Sequence, residues 1–275
     1  MNKHDIANTG ADMAGGLVGA GIGLAVAGPP GAYAGAAIGP MLANGIKDVL
    51  ARVLSPRERK RVDLAAAHIE AGMRKKLEAR IRLRQDDFFD GADRPSNADE
   101  ILEGVLLKCQ IQYQERKVKL IANIAVNTAF DESISIETAN QALNTAERLT
   151  YQELCLLAYF GRKEEFASFP IMVEGFYGYP PEVFHLNSWN AIQSAWDLFQ
   201  SNMIKSSTSS TPGALTVLGP GMMVLTERGT SLFNLLELQS VPSEDVLTAI
   251  EPLFYRDEMG VNEMGKRNGV YVGKQ

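Results

Sequence analysis

Apolar residues recur at intervals of three and four along most of the chain, the spacing of one face of a helix. The first clear run is Val62, Ala65, Ala66, Ile69, Met73, Leu77 and Ile81, and it predicts a long amphipathic helix over 56–84. Its start is written as Ser55-Pro56-Arg57-Glu58: a capping serine, proline at the first helical position and an acid at the third. Ser96 with Asp99 repeats that signal ahead of Ile101, Leu102, Val105, Leu106, Cys109 and Tyr113. The same pattern continues through Leu120, Ile121, Ile124 and Ala125, predicting helix over 97–130 with a break near Lys117. A short helix is expected over 136–148, and Thr150 with Glu153 forms another capping box before a helix at 154–160.

Beyond residue 168 the pattern changes. GFYGYPPEVF, Gly175 to Phe184, reads as a packed aromatic loop. Trp189 to Lys205 reads as an amphipathic helix carrying Ile192, Trp196, Leu198, Phe199 and Met203. SSTSSTPG is a loop, and ALTVL and MMVLT flank Gly219-Pro220-Gly221 as a β-hairpin. Thr226 caps a helix over 227–238, and Pro242 to Asp245 opens a last helix ending near Tyr255. Helix, hairpin, helix is the order of a winged-helix module.

One segment fits none of these patterns. Met13 to Ile46 has no charged residue and holds ten of the chain's 25 glycines. Gly28 before Pro29 and Pro30 ends one helix and starts another, because glycine suits the left-handed position after a helix and proline cannot continue one. Each arm then has about 16 residues, roughly 24 Å of helix, against a hydrocarbon core of about 30 Å. Gly15, Gly19 and Gly23 form a ladder at spacing four, and Gly31, Gly35 and Gly39 form a second. Glycines on one face let two helix backbones approach closely. Two readings fit: a membrane-active helical hairpin, or a hairpin buried in a soluble helical domain. Glycine costs about 1 kcal/mol against alanine in a helix interior, so six of them need lipid or tight packing as compensation. An uncharged run of this length favours the membrane, and its scarcity of Leu, Ile and Phe points to marginal insertion through self-association.

Charge distribution strengthens that expectation. The net charge is −6, which argues against a surface built wholly for nucleic acid. Residues 47–84 nevertheless hold twelve Lys/Arg against five Asp/Glu. Arg52, Arg57, Arg59, Lys60 and Arg61 would then sit at lipid headgroups, with both ends of the hairpin on the cytoplasmic side. A solvated helix face is the plainer reading of the same charges. The leader MNKHDIANTGAD sets Asp5 and Asp12 against Lys3, and apolar sequence runs on past Ala25-Val26-Ala27, so a secretory signal is not expected. Two cysteines, Cys109 and Cys155, make no disulfide framework and are expected in the core of a reduced, cytoplasmic protein.

Nothing along the chain spells catalysis. His4, His68 and His185 have no metal-binding spacing, and the cluster Asp86, Asp87, Asp90 and Asp93 lacks the glycine and final glutamate of a calcium loop. Gly219-Pro220-Gly221 is not followed by the Lys-Ser/Thr of a phosphate loop. Neither an enzymatic activity nor a cofactor or metal is expected. Trp189 to Lys205 sets only Lys205 against Asp197, and Glu237 to Tyr255 is acidic, so nucleic acid is not the expected partner of the C-terminal half.

The glycine-rich hairpin, the helical middle and LTERG ahead of an apolar helix together resemble bacterial abortive-infection proteins of the Abi-alpha type. The resemblance rests on Val217 to Leu238 and on the order of the parts. It implies an anti-phage setting, in which infection releases a membrane-damaging activity, and carries over no catalytic residue. The expected fold is mainly α: a glycine-zipper helical hairpin at 1–54, a helical domain at 55–168, a winged-helix-like α+β module at 169–255 and a polar tail at 256–275. The expected function is a membrane-inserting or pore-forming effector at the bacterial inner membrane. Its expected partners are membrane lipid, further copies of itself and a control or trigger protein. The alternative is a soluble oligomeric scaffold or winged-helix regulator that binds a protein or nucleic acid.

Overall fold

The computed structural model describes Ile46, Val49, Arg52 and residues 54–91, 95–169, 171, 186–207 and 218–254. The glycine ladders, the Pro29-Pro30 turn, the aromatic loop at 175–184 and the polar tail lie outside the described residues. The protein is mainly α, with eight α-helices and one two-stranded sheet among the described residues. It divides into two compact units, Met1–Arg148 and Leu149–Gln275, so the helix that follows Thr150 belongs to the second.

The first unit contains α1 (Pro56–Glu78), α2 (Asn97–Ile111), α3 (Arg116–Thr128) and α4 (Ile136–Arg148). Both predicted capping boxes form: Ser55 with Glu58 and Ser96 with Asp99 each satisfy two backbone N–H groups that a helix start leaves unpaired. Helix α1 packs on α2 and α3, and α2 packs on α3 and α4. Helix α3 is apolar nearly all round, with Val118, Leu120, Ile121, Ala122, Ile124, Ala125 and Val126 buried, as a central helix requires.

Two boundaries differ from the expectation. Helix α1 stops at Glu78 instead of 84. Arg80 takes the left-handed conformation (φ 59°), with Arg80 N–H bonded to the Leu77 carbonyl and Ile81 N–H to that of Lys76. This is the Schellman closure, made with arginine where glycine is usual. Ile81 therefore leaves the apolar stripe and is 44% exposed. The 97–130 pattern splits into α2 and α3 at Gln112, earlier than Lys117, and Tyr113 falls off the buried face on which its spacing placed it. Neither glycine nor proline marks this break. Gln112 is extended (ψ 107°), and its side-chain oxygen accepts from the Gln114 N–H at 3.1 Å.

In the second unit the central element is α5 (Tyr151–Gly161), whose residues from Glu153 to Phe160 are all buried. Thr150 and Glu153 close its capping box. Around it pack α6 (Leu186–Gln200), α7 (Glu227–Leu235), α8 (Ser243–Ile250) and strand β2 (Met223–Leu225). The predicted helix to Lys205 ends at Gln200, because Asn202 turns left-handed (φ 56°) and Ile204–Ser206 becomes strand β1. Strand β2 pairs antiparallel with β1, Ile204 opposite Leu225; of the expected partner at 214–218 only Leu218 is among the described residues, and it is not in a strand. Gly219-Pro220-Gly221 leads into a single 3-10 turn at Pro220–Met222.

Thr226 joins these parts. Its hydroxyl accepts from the Gly229 N–H at 3.0 Å, capping α7, and donates to the Asn202 carbonyl at 2.6 Å. A Cβ on Gly229 would lie 2.0 Å from the Met203 carbonyl oxygen, so only glycine admits this approach. Gly229→Ala should cost about 3 kcal/mol in urea unfolding, since backbone must move to make room. Arg80→Gly should have the opposite sign, gaining about 1 kcal/mol by removing the penalty of a side chain in the left-handed region.

Candidate functional site

No group of three or more His, Cys, Asp or Glu able to hold a metal ion occurs among the described residues. The polar groups that do come together have structural work. His68 Nε2 meets Asn123 Oδ1 at 2.8 Å. Tyr151 donates to Asp245 at 2.8 Å, joining the first turns of α5 and α8, and burial together with that bond raises the tyrosine pKa. Lys163 donates to the carbonyls of Gly221 and Met223 at 2.6 and 2.8 Å, and its pKa is lowered by burial. Within the acidic linker, Asp86 forms an ion pair with Arg84, which also donates to the Thr128 and Ile134 carbonyls and lies over the Phe88 ring. Arg84, steadied by that carboxylate, ties the segment to the end of α3.

The basic start of α1 is different. Ser55 N–H donates to Glu58 Oε2 at 2.7 Å, and hydrogen bonds from Ser55 hold the Glu58 carboxyl below its ordinary pKa. With this turn fixed, Arg57, Arg59 and Lys60 are exposed, and none of the three forms an ion pair among the described residues. Asp63 lies one turn beyond Arg59; burial raises its pKa, and the Arg59 charge opposes that shift. Cations in a first turn face the positive end of the helix dipole, at a cost of a few tenths of a kcal/mol each. They do not serve the helix they stand on.

The other two predicted cations are engaged within the protein. Arg52 pairs with Glu103 at 2.7 Å, with both side chains nearly half exposed, so the pair adds little stability. Arg61 donates to the Gln112 carbonyl at 2.6 Å and to the Arg57 carbonyl at 3.2 Å. The first of these bonds ties α1 to the elbow between α2 and α3, beside which Ile111 and Tyr113 are 59% and 80% exposed. Residue spacing placed Tyr113 in the core and set the break near Lys117, past the elbow itself. The six ladder glycines, Pro29 and Pro30 lie outside the described residues.

Both cysteines are buried. The Cys109 thiol donates to the Val118 carbonyl, and burial pushes its pKa up to about 12. A thiol stays protonated below its pKa and reacts poorly. Ellman titration at pH 8 should therefore count no fast thiol in the folded protein and both after unfolding in urea.

The described residues thus define a mainly helical protein whose most distinctive surface is a basic helix start beside two exposed apolar side chains. No family model, no curated protein and no solved structure matches the chain.

Proposed function

We propose that this chain is a membrane-associating effector, with residues 13–46 as the membrane-active element and the first turn of α1 as its headgroup contact. The observation that carries the reading is the trio Arg57, Arg59 and Lys60: exposed, outside any ion pair among the described residues, and clustered at the start of α1, ten residues after a charge-free segment. Anionic lipid supplies counter-charge to exposed cations that form no ion pair among the described residues. No helix among the described residues is long and apolar enough to cross a membrane, so the reading assigns insertion to the glycine-rich segment alone. Paired ladders Gly15-Gly19-Gly23 and Gly31-Gly35-Gly39 bring two helices, or several copies, together without bulky side chains. The resemblance to Abi-alpha proteins supplies the setting of a bacterium that damages its own inner membrane on infection.

The test is fractionation of the expressed chain, with dye leakage from anionic liposomes measured on the purified protein. Association and leakage should both vanish on deleting residues 13–46 and should fall with Gly19→Leu or Gly35→Leu. A chain that stays soluble and leaves liposomes intact would support the soluble scaffold instead. Each Lys or Arg near an anionic surface contributes on the order of 1 kcal/mol, so replacing Arg57, Arg59 and Lys60 with Gln should weaken vesicle binding roughly a hundredfold at low salt. The loss should shrink as salt rises.

A further inference from the structure

The elbow between α2 and α3 exposes the two most accessible large apolar side chains described in the first unit, Tyr113 and Ile111. They flank Gln112, which is itself buried and whose carbonyl is held by Arg61 at 2.6 Å. Arg57, Lys60 and Arg61 are spaced i, i+3 and i+4 on α1, hence on one face, and Arg61 brings that face to the elbow. Glu58 is turned back to the cap, where Ser55 and Gln110 donate to it. Glu115 is the elbow's own acid, and Arg116 follows it. Cations, a tyrosine and an isoleucine thus share one surface.

We infer that the Ile111–Gln112–Tyr113 elbow and the first turn of α1 form one docking surface for an anionic bilayer. Tyr113 and Ile111 enter the headgroup interface while Arg57 and Lys60 contact lipid phosphates. This rests on the membrane reading above and deepens it, because it says which end of the helical unit faces the lipid. A tyrosine ring is stable where its face meets apolar matter and its hydroxyl meets water, which is the condition at a bilayer surface. The neighbouring cations match the charge of that surface. Chain continuity favours lipid over an acidic protein, because only ten residues separate Ile46, the end of the charge-free segment, from Arg57. The opposite end of α1 is marked by Lys76 over the Phe130 ring, about 22 Å from Arg61 along the helix. Ser133 lies in the loop that follows and should stay in water.

The experiment uses the full chain carrying Tyr113→Cys or Ser133→Cys, labelled with an environment-sensitive dye; Cys109 and Cys155 are buried and spare the labelling. Vesicles of phosphatidylcholine with one-third phosphatidylserine are compared with phosphatidylcholine alone. On the anionic vesicles the dye at 113 should shift to the blue and be quenched by a shallow nitroxide lipid, while the dye at 133 does neither. Unlabelled Ile111→Asp/Tyr113→Asp should bind those vesicles about tenfold more weakly, with its urea midpoint unchanged because both side chains are exposed. Vesicle binding with the dye at 113 still in water would overturn the elbow and leave the membrane reading standing. No vesicle binding by the unsubstituted chain would overturn both. A blue shift without vesicles, accompanied by a rise in mass by light scattering, would make the surface a contact between copies and overturn the lipid assignment.

Discussion

The bond from Arg61 to the Gln112 carbonyl holds the turn on which the first unit depends. Apolar spacing from Ile101 to Ala125 is nearly continuous, and an unbroken helix there would be a rod with no partner to cover its second half. Because the chain folds back at Gln112, α3 returns against α2 and both meet α1. The carbonyl exposed by the break needs a donor, and an arginine supplied from α1 provides one with its charge retained. Buried Lys117, just past the elbow, does the same for the Glu147 carbonyl, at 2.8 Å. Two cations thus serve backbone oxygens where helices end.

The second unit solves a similar problem with hydroxyls as well as charged groups. Helix α5 is buried all round, so its stability comes from the elements laid over it rather than from one apolar stripe. Those elements are short, and short helices are marginal alone. They are held by joints: Thr226 between α6, the strands and α7, Tyr151 to Asp245 at α8, and Lys163 on the carbonyls of Gly221 and Met223. Arg162 adds a bond to the Val241 carbonyl at 2.7 Å ahead of α8.

The surface proposed to meet lipid follows from the architecture of the first unit. Arg52 and Arg61, which look equivalent to Arg57, Arg59 and Lys60 in sequence, are occupied by Glu103 and Gln112. What remains outward is a smaller and more directional set of charges, joined by Ile111 and by Tyr113, which the helical pattern had assigned to the core. Of the candidate site, the basic residues were legible in the sequence and their division of labour was not.

Local chemistry settled much of the fold in advance. Helix starts at Pro56, Asn97, Tyr151 and Glu227 were readable because Ser or Thr caps act within four residues, and Ile136–Arg148 was readable from spacing alone. The ends at Arg148 and Gly161 were also close to expectation, but three others were not. At Glu78 and Gln200 the chain turns through Arg80 and Asn202, residues that carry no strong stop signal, and at Gln112 it turns because a side chain fifty-one positions earlier reaches its carbonyl. The strand pairing of Ile204–Ser206 with Met223–Leu225 likewise depends on what Thr226 and Gly229 can touch. A helix starts on bonds its own first turn can make, so sequence determines it. The break at Gln112 instead leaves a carbonyl that Arg61 reaches from another helix, and only the tertiary structure brings those two together.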